Sequence, residues 1–237
     1  MLIAAAFVPS PPLLVPELNG LAAAETDELR SAVLDVGSEL AEAAEWTVIG
    51  VDRAAAVIPA TAVGTFRGFG VDTVVSLGPG SSGEPDPALP LAALVAAWVR
   101  ERTAPRTRAE VQVLPPAAER AGCVALGAQL RARLDDGPVP RALLIVADGA
   151  ATLTEKAPGA YDPRSEAVES ALGAALAAGD PQSLDALDPV LCSKIGLDGR
   201  AAWQVLAAAF GKAPSSATVT YAAAPYGVGY HVGLWRP

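Results

Sequence analysis

The chain has 237 residues, of which 51% are hydrophobic, and a formal net charge of −9. Its length suits one large α/β domain. No Gly/Ser-rich or Pro-rich linker divides it, so we expect a single domain over residues 1–237. The acidic balance argues against nucleic acid and anionic membrane surfaces as partners, because phosphate recognition depends on clustered Lys and Arg.

Two further features of composition bear on the compartment. The first 18 residues are apolar but carry no basic residue and are interrupted by prolines, which is unlike a cleaved signal. Cys123 and Cys192 lie near neither each other nor the single histidine, so neither a disulfide framework nor a zinc motif is indicated. We therefore expect a cytoplasmic protein with two reduced, buried cysteines.

In the first 134 residues, apolar runs typical of strands alternate with segments of helical periodicity. Strands are predicted at residues 2–8, 46–51, 71–77 and 110–114. Helices are predicted at residues 21–44, 89–102 and 117–134. Residues 53–70 have no clear period and contain one proline and three glycines, which predicts an irregular excursion over the sheet edge.

The remainder of the chain continues the alternation and then changes character. A charge-free run at residues 142–147 predicts a buried strand, and helices are predicted at 164–178, 181–187 and 199–210. In the last of these, Trp203, Leu206 and Phe210 recur at helical spacing, which is typical of a core face. Two β-like runs, 217–223 and 227–235, close the chain.

This order of elements predicts an α/β fold. Strands that alternate with helices favour three layers, with helices on both faces of a mostly parallel central sheet. The two closing runs are joined by a short turn, so we expect them to add antiparallel strands at one side.

Polar residues follow three of the predicted strands. Ser10 comes after the first strand, Asp52 after the second and Asp148 after the central one. Because parallel strands present their carboxyl ends to one edge, these side chains are expected to share a crevice. Two carboxylates and a hydroxyl in such a crevice suit a hard divalent metal ion or an acid/base pair. A purely structural role, in which the aspartates accept hydrogen bonds from loop amides, is equally compatible with the pattern.

The stretch that follows the central strand is the richest in polar side chains. It continues from Asp148 through Thr152, Thr154, Glu155 and Lys156 into a Gly- and Pro-containing loop, which makes it the first candidate for a ligand-binding loop. A turn capped by the Asp148 side chain is the alternative interpretation. Walker, Rossmann, nucleophile-elbow and HExxH motifs do not occur in the sequence.

His231 lies in the last β-like run, where alternate residues point to opposite faces. If Tyr230, Val232 and Leu234 face the core, His231 faces away from it. We expect this side chain to be solvated or to lie at a subunit contact.

Four stretches together resemble one known family. In chain order they are FVPSPPLLVPEL, WTVIGVD, ADGAATLTEKAPGAYDPR and YAAAPYGVGYHVGLW. They are similar to the LigB-like class III extradiol ring-cleavage dioxygenases and their Memo-type relatives, in particular to an alanine-rich actinobacterial branch of that family. The resemblance covers nearly the whole chain and implies a LigB-like fold.

The resemblance also implies where a metal site would lie. Active members of the family bind Fe(II) through two histidines and a glutamate, and a further histidine acts as acid/base. At the ligand positions this chain has Ser10, Asp52 and Leu197, with Asp198 next to the last of these, and Ala151 stands where the catalytic histidine would be. Serine is a poor ligand for ferrous iron and alanine cannot transfer a proton, so the departures argue against the family reaction.

Three hypotheses follow from the sequence. The first, which we favour, is a divergent protein that has lost ring cleavage, needs no cofactor and binds a small anionic or aromatic ligand in the former active-site crevice. The second is a repurposed enzyme that uses Asp52 and Asp148 with a hard divalent metal or as acid and base. The third is a structural partner subunit, and self-association into a homo-oligomer is compatible with each of them.

Overall fold

The middle strands of the central sheet are buried on both faces. The computed structural model describes residues 1–20 and 26–237. Within these residues, seven strands form one sheet in the order β3-β6-β2-β7-β1-β9-β8, and β4 and β5 form a separate two-stranded sheet. The strands are β1 Leu2–Val8, β2 Glu45–Val51, β3 Ala56–Ile58, β4 Val63–Thr65, β5 Val74–Ser76, β6 Arg108–Leu114, β7 Arg141–Val146, β8 Ser216–Ala223 and β9 Tyr230–Arg236.

Strand direction separates the middle of the sheet from its edges. The four strands β6, β2, β7 and β1 are mutually parallel. At one edge β3 pairs antiparallel with β6, and at the other β9 and β8 form an antiparallel pair beside β1. The prediction of a mostly parallel sheet with antiparallel C-terminal strands at one side is therefore confirmed.

Helices cover both faces of the sheet. The helices are α1 Pro16–Asn19, α2 Asp27–Ser38, α3 Leu91–Thr103, α4 Arg120–Asp135, α5 Ser165–Ala178, α6 Pro181–Asp185, α7 Pro189–Lys194 and α8 Arg200–Phe210. Along β1, alternate residues enter two separate apolar cores: Ala4, Ala6 and Val8 pack with α2 and α3, whereas Ala5 and Phe7 pack with α4 and α8. This is the three-layer α/β/α arrangement predicted from the sequence.

The excursion after β2 is more regular than predicted. Residues 53–70 contain β3, which extends the main sheet, and β4. The strand expected at residues 71–77 is the short β5, and it pairs with β4 instead of joining the central sheet. The strand predicted at residues 71–77 is therefore present, though shorter, whereas the prediction of an irregular excursion was wrong. Short runs carry no information about which partner completes their backbone hydrogen bonds.

Two other differences concern helices. The first long helix is α2, and the predicted start of that helix at residues 21–25 lies outside the described residues. Sequence periodicity did not predict α7, a single short helix that begins at Pro189 and is capped by Asp188.

The two cysteines are buried free thiols, as predicted, and burial raises the pKa of Cys192 to about 11. None of the described helices is both long and apolar enough to span a bilayer.

The contact between α4 and α8 depends on a glycine. A Cβ atom placed at Gly127 would lie 2.6 Å from the Val205 carbonyl oxygen and 2.9 Å from the Ala209 nitrogen. These are backbone atoms of α8, so the two helices would have to separate to accommodate a side chain. At Gly122, in the same helix, a Cβ atom would meet nothing within 4 Å.

These two glycines give a matched test of the packing. We expect Gly127→Ala to lower the free energy of unfolding by about 1–3 kcal/mol, because overpacking outweighs the gain in helix propensity. Gly122→Ala should instead raise it, by up to about 1 kcal/mol. Urea unfolding followed by circular dichroism measures both changes, and equal effects of the two substitutions would contradict the close approach of α4 and α8.

Candidate functional site

A crevice lies at the carboxyl ends of β1, β2 and β7, where the sequence predicted it. Its volume is about 360 Å³. Among the predicted site residues, Ser10, Asp52, Asp148, Ala151 and Asp198 line it. The parallel arrangement of the three strands brings these side chains together from distant parts of the chain.

Asp148 is held by the segment that follows β1. The backbone nitrogen of Ser10 donates to Asp148 Oδ1 at 2.7 Å, and the Ser10 hydroxyl donates to Asp148 Oδ2 at 2.6 Å. Both carboxylate oxygens therefore have a partner on the same residue, and the carboxylate is fixed in orientation. Part of Asp148 remains accessible from the crevice.

The charge state of Asp148 reflects its surroundings. Burial raises the pKa of Asp148 above its ordinary value, and the hydrogen bonds from Ser10 offset part of that increase. The negative charges of Glu169 and Asp198 raise the pKa further. Asp148 is thus a carboxyl group that keeps its proton to a higher pH than a solvated aspartate does.

The other carboxylates are more open. Asp52 follows β2 directly, is half-buried, and its Oδ1 accepts a hydrogen bond from the Arg53 nitrogen at 2.6 Å. Asp198 is exposed at the mouth of the crevice. Arg53, also exposed, is the single basic residue in the described lining. Three carboxylates against one guanidinium leave the crevice with an excess of negative charge.

Four residues named from the sequence lie elsewhere. Leu197 is buried in the apolar core beneath α8, and the Thr152 side chain is buried, with its hydroxyl 2.5 Å from that of Ser165. Glu155 and Lys156 are exposed and outside the crevice lining. The loop folds away from the crevice after Ala151, so sequence proximity to Asp148 was not sufficient to place these side chains in it.

Thr154 and His231 belong to a different cavity. This groove, of about 640 Å³, lies between α5 and the adjoining ends of β8 and β9. His231 is only 4% exposed, so the expectation that it is solvated or at a subunit contact was wrong. The alternation along β9 did place it opposite Tyr230 and Val232, but α5 covers that face of the strand.

Glu169 of α5 is a residue that the sequence did not identify. Its Oε1 lies 2.7 Å from His231 Nε2, and its Oε2 accepts a hydrogen bond from the Ala150 nitrogen at 2.7 Å. A Cβ atom at Gly229 would lie 1.6 Å from Oε1, so only glycine at this position leaves room for the carboxylate. Glycine in the closing GVGYHVG stretch is the sequence signal of such a close approach.

The residues do not fit the iron site that the family resemblance implies. At the three ligand positions that the resemblance implies, the Ser10 hydroxyl donates a hydrogen bond to Asp148, Leu197 offers no ligand atom, and only Asp52 is a metal-binding type. Within residues 1–20 and 26–237, no group of three or more His, Cys, Asp or Glu side chains is arranged to hold a metal ion. The single histidine is engaged with Glu169 in the other cavity.

Comparison with known proteins bears on the fold alone. No family model matches the chain, and no curated protein matches it. Among solved structures it is similar to the crystal structure of uncharacterized protein JW3007 from Escherichia coli K12, with a TM-score of 0.58 and 14% sequence identity. The superposition covers 98% of this chain and 99% of that one.

The burial of Asp148 makes stability depend on pH. Its folded pKa lies above the unfolded value of about 3.9, so between these two values the folded state binds more protons and stability falls as pH rises. Asp148→Asn lacks this effect and can keep both contacts with Ser10. We expect the free energy of unfolding of this variant, relative to the parent, to increase as pH rises above about 4 and to level off above the folded pKa.

Asp162→Asn is the control of opposite sign. Hydrogen bonding to the Arg164 guanidinium lowers the pKa of Asp162 to about 2. Ionised Asp162 therefore stabilises the folded state, and this stabilisation is lost as pH falls from about 4 toward 2. Urea unfolding across this pH range measures both variants. A pH profile of Asp148→Asn parallel to that of the parent would contradict the assignment of a raised pKa to Asp148.

Proposed function

We propose that this protein binds a small molecule in the crevice at the carboxyl ends of β1, β2 and β7 and does so without iron. The single observation that carries the proposal is the convergence of Ser10, Asp52, Asp148 and Asp198 on one cavity of about 360 Å³. Clefts in which a few polar groups fix a ligand against apolar walls are the usual form of small-molecule sites.

The charge of the crevice restricts the ligand. Asp52, Asp148 and Asp198 together repel an anion, and among the described lining residues Arg53 alone offsets them. The same carboxylates accept hydrogen bonds from hydroxyl groups. Of the two ligand classes considered from the sequence, an aromatic compound with hydroxyl substituents is therefore favoured over an anionic one.

Ala151 and Val228 support an aromatic ligand on steric grounds. Both line the crevice and provide apolar surface against which a ring can pack. If the chain is a divergent relative of the LigB-like dioxygenases, Ala151 stands where the catalytic histidine would be. Its methyl group then leaves space for the ring while supplying no proton-transfer group.

The proposed divergence from the dioxygenases rests on the residues at the metal-ligand positions that the resemblance implies. Ring cleavage in that family needs an Fe(II) site with two imidazoles and a carboxylate. Ser10, Asp52 and Leu197 stand at the positions that the resemblance implies, and the one imidazole of the chain is hydrogen-bonded to Glu169 in the other cavity. A binding function therefore agrees with the residues better than oxygen chemistry does.

An acid/base enzyme is the second candidate. The observation that favours it is the raised pKa of Asp148 beside two further carboxylates, since general acids are commonly carboxyl groups whose pKa is raised by burial. Turnover of a nitrophenyl ester or glycoside that disappears in Asp148→Asn but persists in Asp162→Asn would favour this candidate over simple binding.

A steric variant tests the binding proposal. Catechol and benzoate serve as probes of equal ring size and different charge, titrated by calorimetry into protein treated with a chelator. We expect saturable binding of catechol and at least about tenfold weaker binding of benzoate. Ala151→Leu should abolish catechol binding, because the larger side chain occupies the space of the ring.

Ala160→Leu is the matched control for this experiment. Ala160 lies on the same loop, but it is exposed and outside the crevice lining. Catechol binding should be unchanged in this variant. The proposal fails if neither probe binds, or if Ala151→Leu binds catechol as well as the parent does.

A further inference from the structure

The Glu169 carboxylate lies behind the loop that forms the floor of the crevice. Four of the five residues in this floor loop, 147–151, line the crevice. The fifth is Ala150, and its backbone nitrogen donates to Glu169 Oε2 at 2.7 Å. Glu169 itself lines the groove beside α5 and is not part of the crevice lining. It therefore contacts the floor loop from the side away from the crevice.

Two glycines make room for this carboxylate. A Cβ atom at Gly149 would lie 2.3 Å from both carboxylate oxygens of Glu169, and a Cβ atom at Gly229 would lie 1.6 Å from Oε1. Neither glycine has a positive φ angle, so the backbone conformation does not require glycine at either position. Gly149 N also donates to Gly229 O at 2.8 Å. The two glycines are thus paired with each other, and both are in close contact with the carboxylate.

His231 of β9 holds the carboxylate through its other oxygen. Its Nε2 lies 2.7 Å from Glu169 Oε1, and its side chain is 5% exposed. A Cβ atom at Gly173 would lie 3.1 Å from His231 Cε1, so the imidazole packs closely against α5. Each oxygen of Glu169 therefore has one partner, one in β9 and one in the floor loop.

Glu169 also acts on the floor loop through its charge. Its side chain is 13% exposed, so water screens the charge only in part. Burial raises the pKa of Asp148, and the negative charge of Glu169 raises it further. Contact, hydrogen bonding and charge thus all connect Glu169 with the loop that carries Asp148.

We propose that Glu169 is a positioning residue of the crevice. It holds Ala150, and it thereby sets where the neighbouring Asp148 and Ala151 face a ligand. His231 keeps the carboxylate in place for this role. The role rests on the binding function proposed for the crevice, and Glu169 does not touch the ligand.

Substitutions at Glu169 test the role by calorimetry with catechol. Glu169→Ala removes both hydrogen bonds and should weaken catechol binding by at least about tenfold. Glu169→Gln keeps an acceptor for the Ala150 nitrogen, and the imidazole of His231 can take its other tautomer to accept from the amide. Catechol binding should therefore stay within about threefold of the parent in this variant.

Glu166→Ala is the matched control for Glu169→Ala. Glu166 lies one turn earlier on α5 and is exposed. This variant removes the same side chain from the same helix, and it should bind catechol as the parent does.

Gly149→Ala disturbs the same contact from the floor loop. The added methyl group would meet both carboxylate oxygens of Glu169, so catechol binding should again weaken by at least about tenfold. Glu169→Ala removes the atoms that this methyl group meets. The double variant should therefore bind catechol no more weakly than the weaker of the two single variants. Additive losses would contradict an action through this contact.

Hydrogen exchange supplies a measurement that needs no ligand. In Glu169→Ala the Ala150 amide should exchange at least about tenfold faster than in the parent, and in Glu169→Gln its rate should stay close to that of the parent. The Leu144 amide of β7 reports global unfolding and should be accelerated less. If the parent does not bind catechol, the proposed function fails, and exchange at Ala150 still decides whether Glu169 holds the floor loop.

Three results would overturn the positioning role. The first is catechol binding in Glu169→Ala equal to that of the parent. The second is a loss in Glu169→Gln as large as in Glu169→Ala. The third is an Ala150 amide that Glu169→Ala accelerates no more than the Leu144 amide.

Discussion

The loop that follows β7, residues 147–151, is the constraint on which both cavities depend. It is tied to four separate parts of the chain. The hydrogen bonds run from Ser10 to the Asp148 carboxylate, from Gly149 N to Gly229 O, from Ala150 N to Glu169 Oε2 and from Ala151 N to Ile195 O. Because each loop residue is held by a different element, the floor of the crevice is fixed by the whole fold rather than by local turn geometry.

This arrangement explains why the location of the crevice could be predicted from the sequence. Three charge-free runs that end in Ser10, Asp52 and Asp148 are enough to indicate parallel strands, and parallel strands bring their carboxyl ends to one edge. The lining beyond those ends could not be predicted in the same way. Leu197 and Glu155 are placed by loops whose paths depend on tertiary contacts, and their sequence spacing carries no record of these contacts.

His231 also shows how far the sequence alone can predict the surroundings of a side chain. Period-two alternation along β9 correctly separated it from Tyr230 and Val232, but alternation identifies faces and does not show what covers them. The partner, Glu169, lies 62 residues away on a helix whose sequence pattern does not distinguish it from its neighbours. The close approach at Gly229 was the available signal, and it becomes interpretable only when the position of α5 is known.

The central claim is that the crevice has the shape of a ligand site while its residues do not form an iron site. Metal analysis of protein purified anaerobically and offered ferrous, manganese and magnesium ions tests this claim most directly, with oxygen uptake recorded after catechol is added. The account predicts substoichiometric iron and no catechol-dependent oxygen uptake. One iron per chain, together with oxygen uptake that Asp52→Asn abolishes, would contradict it.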